Sequence, residues 1–95
     1  MNEPAPLLRY RFTGHAKIEM RRRGITEADI SAALSHPEQV DEVRSGRVIY
    51  QSKIAQGEPP KVYLLRAIVD MDRDPPAVVT VYRTSKIDKY WREDK

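Results

Sequence analysis

No cysteine occurs in this 95-residue chain. Disulfides, thiolate metal sites and cysteine nucleophiles are therefore excluded, and a reducing cytoplasm is the expected location. Histidine is scarce: His15 and His36 are the only two, and the acids around them show no recognised ligand spacing. No metal site is expected on that ground. The four glycines stand apart from one another, so no glycine-rich phosphate loop is present, and no cofactor is expected. No apolar run approaches the roughly 20 residues that cross a bilayer. Met1 to Pro6 lacks the apolar centre of a signal peptide. No membrane association is expected.

What is present suits one folded domain spanning residues 1–95, with residues 1–8 as a flexible leader. Apolar residues make up 40% and charged residues 33%, which is enough for one modest core under a highly charged surface. The net charge is only +3, but it is unevenly spread. Arg9, Arg11, Lys17, Arg21, Arg22 and Arg23 crowd the first quarter. Arg83, Lys86, Lys89, Arg92 and Lys95 crowd the end, and Glu27 to Glu42 is acidic. Two basic ends can serve phosphates; equally, they can be solvated surface.

The first half reads as two helices. Thr13 caps one over Gly14–Arg23, where Ala16 and Met20 share a face, and Gly24 stops it behind three arginines. Thr26 caps a second, with Asp29 three residues on and Ile30, Ala33 and Leu34 as its apolar stripe; Pro37 ends it. The second half reads as strands: "QVDEVR", "RVIYQSKI", "KVYLLRAIVD" and "AVVTVYR", separated by "SG", "QGEPP" and "DRDPP". A short helix capped by Ser85 is expected to carry Lys89, Tyr90 and Trp91. The expected fold is α+β, with two helices packed on a four-stranded antiparallel sheet and a short C-terminal helix.

Few residues carry obvious chemistry. His15 falls in the first turn of a helix, where the dipole favours the neutral ring and hence a base; a histidine that only packs or caps is the bland alternative. His36 is assigned no role. Arg66 interrupts an apolar strand face, so it must reach a partner or solvent. Arg83 ends the neighbouring strand, and antiparallel pairing can bring the two arginines onto one face. With Tyr50 and Tyr82 beside them they can bind phosphate and stack bases, or else pair with Asp41, Glu42 or Asp70 across strands.

In their order along the chain, "HAKIEMRRRGI", "PEQV", "GRVIYQS", "YLLRAIVD" and "VVTVYRTSKIDKYW" resemble a family of small bacterial proteins known only as a domain of unknown function. That family is similar, distantly, to the RelE/BrnT-like toxins. The resemblance runs from about Arg9 to Trp91. It implies a RelE-like fold and a metal-independent ribonuclease, the toxin of a toxin–antitoxin pair with a small antitoxin protein as partner. Glu19 stands where many relatives carry an arginine, whereas Arg23 matches. The resemblance also implies that "YRTSK" at the end of the last strand delivers site residues.

On this reading RNA is cleaved by attack of a ribose 2′-OH on the adjacent phosphate. His15 is the base or acid, Arg66 and Arg83 stabilise charge, and Tyr82 is a second proton-transfer group. Arg23, Tyr50, Thr84 and Lys86 bind substrate. The alternative is a non-catalytic nucleic-acid- or protein-binding module of the same fold. Convergence of His15, Arg66 and Arg83 in one cleft favours the enzyme, and dispersal favours the module. Oligomeric state is not legible in the sequence.

Overall fold

The computed structural model describes residues 6–93. In chain order it contains strand β1 (Arg11–Phe12), helices α1 (Gly14–Arg23) and α2 (Glu27–Ser35), strands β2 (Gln39–Arg44), β3 (Arg47–Gln56), β4 (Lys61–Asp70) and β5 (Ala77–Thr84), and the short helix α3 (Ile87–Tyr90). The local signals act as expected. The Thr13 hydroxyl accepts from the Ala16 N–H, and Gly24 closes α1 at φ 67°, a left-handed conformation that glycine adopts without strain. Thr26 and Asp29 complete a reciprocal capping box at the start of α2.

The sheet departs from expectation. It has five strands in the order β1-β5-β4-β3-β2, and it is mixed: β2 to β5 form the antiparallel meander, while β1 lies parallel to β5. Two residues pairing with Ala77 and Val78 give too short a run for any alternating pattern, so this strand leaves no periodic signal. The leader also differs. Residues 1–5 lie outside the described range, but Leu7 is buried, and its N–H donates to the Leu34 carbonyl at 2.8 Å. Ser85 does not cap α3, whose N-cap is Lys86 with no side-chain bond.

The core lies between the helices and one face of the sheet. Ala16 and Met20 of α1 and Ile30, Ala33 and Leu34 of α2 pack against Tyr50, Leu65, Ala67, Val69, Val78 and Val81. Val78 and Val81 reach this face together because a bulge at Val79 adds one residue to β5 opposite the Ile68–Val69 step. The two carbonyls exposed there receive one residue: Thr13 N–H bonds the Val78 oxygen at 3.0 Å and Thr13 Oγ1 donates to the Val79 oxygen at 3.3 Å. This fixes the start of α1 on β5. Asp29 of α2 approaches Gln56 at 3.5 Å, so the junction of the two helices lies toward the opposite end of the sheet.

Candidate functional site

Register decides which expected site residues meet. Arg66 pairs with Tyr82, and Leu65 pairs with Arg83. Neighbours along a strand point to opposite faces. Leu65 faces the helices, so Arg83 does too, whereas Arg66 and Tyr82 face away. The expectation that the two arginines share a face is thus overturned. His15 is solvent-exposed, but it follows Thr13, which is held at Val79. Arg83 lies four residues further along β5, roughly 13 Å at the strand rise. His15, Arg66 and Arg83 are dispersed over two faces and two ends.

On the outer face Arg66 is 9% exposed. Its Nε donates to Gln51 Oε1 at 2.9 Å, and its Nη1 donates to the Tyr82 hydroxyl. The Tyr90 ring lies 4.1 Å from its guanidinium carbon. Gln51 continues the network to Gln39 at 2.7 Å and to the Tyr90 carbonyl at 3.2 Å. Gln39 in turn bonds the backbone of Arg92. Among the described residues no carboxylate is within ion-pair distance of Arg66. A buried guanidinium costs several kcal/mol unless compensated. Here charge-assisted hydrogen bonds, about 1.5–3 kcal/mol each, and a desolvated cation–π contact of about 2 kcal/mol offset that cost. The C-terminal segment is what completes this cage, so Arg66 acts first as its anchor.

The helix-side face carries a different group at the far end of β4 and β5. Arg83 is half-buried, its Nη1 is buried, and no hydrogen-bond acceptor meets that nitrogen. An unmet buried donor costs about 1–3 kcal/mol. Its guanidinium carbon lies 5.6 Å from the centre of the Tyr63 ring, and Lys61 Nζ lies 5.6 Å from the same ring. Thr84 and Lys86 follow: Thr84 Oγ1 accepts from the Lys86 N–H at 3.0 Å, and the Lys86 side chain is exposed. Arg23, at the end of α1, holds Glu19 Oε1 at 2.9 Å, while Arg22 holds Glu19 Oε2 at 2.8 Å. The Arg23 hydrogen bond keeps the Glu19 carboxyl below the usual carboxylate range. Two cations thus share one anion.

The two ends of the sheet differ in the ion pairs their strands make. At the Asp70–Ala77 end, Arg47 clasps Asp70 through two bonds of 2.7 and 3.0 Å, and Arg9 pairs with Asp74 at 2.9 Å. At the other end Lys61, Arg83 and Lys86 have no ion-pair partner among the described residues, although Glu58 and Asp88 are close by in sequence. Unneutralised cations beside an aromatic ring are the make-up of a surface that receives polyanions.

Tyr50, expected to bind substrate, does not lie at the surface. It is 5% exposed inside the core, where its ring is covered by protein, and burial raises its hydroxyl pKa. Tyr63 shares a strand face with the core residues Leu65 and Ala67, so alternation alone does not set it apart from them. A groove of about 300 Å³ between α2 and β3 includes His36, Glu38, Ser52 and Lys53 in its lining. Asp29 also lines it, so two carboxylates face His36 and Lys53 across one groove, and no sequence pattern marks it. No group of three potential metal ligands occurs among the described residues. No described helix is long and apolar enough to cross a membrane.

Residues 12–83 match the family described as Domain of unknown function (DUF4258). The chain belongs to this family. The matched span takes in α1, α2 and the meander, and it ends at Arg83. No curated protein and no solved structure matches the chain.

Proposed function

We propose that this DUF4258 domain is a non-catalytic nucleic-acid-binding module acting on RNA in the cytoplasm. The observation that carries the reading is a cluster of cations at one end of the sheet: Lys61, Arg83 and Lys86 lie there with no ion-pair partner among the described residues, whereas Arg9 and Arg47 at the other end are held by Asp74 and Asp70. Arg21 and the half-neutralised Arg22–Arg23 pair lie toward the same end. Phosphate oxygens supply the acceptors these donors lack. The dispersal of His15, Arg66 and Arg83 argues for binding over cleavage, because a base and charge stabilisers must meet at one phosphate.

A second reading is the ribonuclease toxin of a toxin–antitoxin pair, as the RelE/BrnT-like resemblance implies, with a small antitoxin protein as partner. The Arg66–Tyr82 contact favours it, since the phenol is the proton-transfer group of that reading and the guanidinium sets a fixed positive charge beside it.

The test is fluorescence anisotropy of labelled RNA across a salt series, with the RNA then run on a denaturing gel. Intact RNA and an affinity that falls with salt by about 0.7 log units per log unit for each phosphate bound are the expected results. Failure to bind at low salt overturns the module. Cleavage that disappears in Tyr82→Phe puts the toxin reading in its place.

A further inference from the structure

We propose that Tyr63 and Arg83 form a nucleotide subsite that takes an unpaired base on the ring and its phosphate on the guanidinium, making the domain selective for single-stranded RNA. This rests on the nucleic-acid reading above and deepens it.

Tyr63 pairs with Ile54 and Arg83 pairs with Leu65, so Tyr63 and Arg83 are diagonal neighbours on one face. Their 5.6 Å separation is comparable to that between a base and the phosphate of the same nucleotide. The aromatic rings of the opposite sheet face are already engaged. Tyr90 has the Arg66 guanidinium 4.1 Å from its centre, and Trp91 has Lys53 Nζ 4.1 Å from its own. Tyr82 lies edge-on to Tyr90 at 6.3 Å and accepts from Arg66. Tyr63 differs in degree: Arg83 and Lys61 both lie over its ring at 5.6 Å, a looser contact than the 4.1 Å at Tyr90 and Trp91, and Lys61 is exposed.

Arg83 supplies the second, independent sign. Its Nη1 is turned inward with nothing to bond. Swinging the guanidinium outward onto a phosphate ends that mismatch, so an anion relieves a defect of the free protein and creates none. A duplex cannot satisfy the ring at the same time, because its base faces are already stacked on one another. A single strand can satisfy both groups, and stacking of this kind tolerates any base.

The experiment compares a short labelled oligouridine with a duplex RNA of the same length, on the full chain. Wild type is expected to favour the single strand at least about tenfold. Tyr63→Leu is expected to lose about 5-fold or more of single-strand affinity with an unchanged salt slope. Arg83→Gln is expected to lose affinity and to flatten the slope by about 0.7. A readout that needs no variant is photo-crosslinking of 5-iodouridine RNA to the wild-type protein, expected at Tyr63. Equal binding of single strand and duplex, or crosslinks confined to other residues, overturns the subsite and leaves the module standing. Binding of neither RNA overturns both.

Discussion

Arg66 and Tyr82 stand directly opposite each other on β4 and β5, and the guanidinium donates to the phenol on the face turned away from the helices. The pair ties a buried charge to a neutral acceptor. Tyr82→Phe should therefore destabilise the protein by about 1.5–2 kcal/mol, the lower part of the range for a hydrogen bond to a charged group. Arg66→Met, which removes the charge along with its needs, should cost less than Tyr82→Phe despite being the larger change. Chemical denaturation of both variants checks the order; the reverse order would show that Arg66 contributes net stability.

Gly24 ends α1 at φ 67°, and a Cβ built there meets nothing within 4 Å. The cost of Gly24→Ala is then backbone strain alone, about 1–2 kcal/mol. Gly24→Asn should cost less, because asparagine tolerates the left-handed region. Thermal melts of the two variants decide it, and equal melting temperatures would contradict the conformational account.

Acidification should act late. The Asp70 carboxyl is held below its ordinary value, first by its hydrogen bond to Arg47, and Glu19 likewise by Arg23. A folded-state pKa below the unfolded one gives stability that is complete above the unfolded value. It is lost only as pH falls through the folded value. Melting temperature should thus hold level from neutrality to about pH 5 and drop below roughly pH 4. Asp70→Asn and Glu19→Gln should each reduce that drop; an unchanged acid limb in both would refute the assignment.

The C-terminal segment should open without the rest. No residue of α3 is buried, and the segment is held by the Gln39–Arg92 bonds, the Arg92–Asp41 ion pair at 2.8 Å and ring contacts. Amides from Ile87 to Trp91 are expected to exchange with solvent faster than those of β4 by orders of magnitude. Tyr90→Ala should accelerate them further, and by more than it accelerates β4.

Leu7→Ala should cost about 2–4 kcal/mol, within the range for emptying a core site. A tail residue would cost almost nothing, so a denaturation midpoint distinguishes the two directly.

Both main helices and the four long strands were legible because each carries its own signal: Thr13 and Thr26 as caps, Gly24 as a stop, and alternation from Tyr63 to Val69. What escaped depends on partners distant in sequence. Arg11 and Phe12 are a strand only because Ala77 and Val78 lie beside them. Leu7 is core only because Leu34 receives its N–H. The separation of Arg66 from Arg83 needed the register of β4 and β5, which residue type does not encode. Tyr50 and Tyr63 look alike in sequence, yet the first is sealed beneath helices and the second lies beside free cations.

Pairing of Arg11–Phe12 with Ala77–Val78 joins the first strand of the chain to the last. Everything between them is one long crossover, so this parallel pair closes a loop that spans most of the polypeptide. During synthesis, α1 and α2 leave the ribosome well before the strand on which Thr13 rests. Their apolar faces must wait for β4 and β5, exposed to solvent or to a chaperone. A nascent chain halted before Ala77 therefore lacks the strand that Arg11 and Phe12 join. Folding of this domain is expected to follow completion of β5, and arrest at that point should mark where protease resistance first appears.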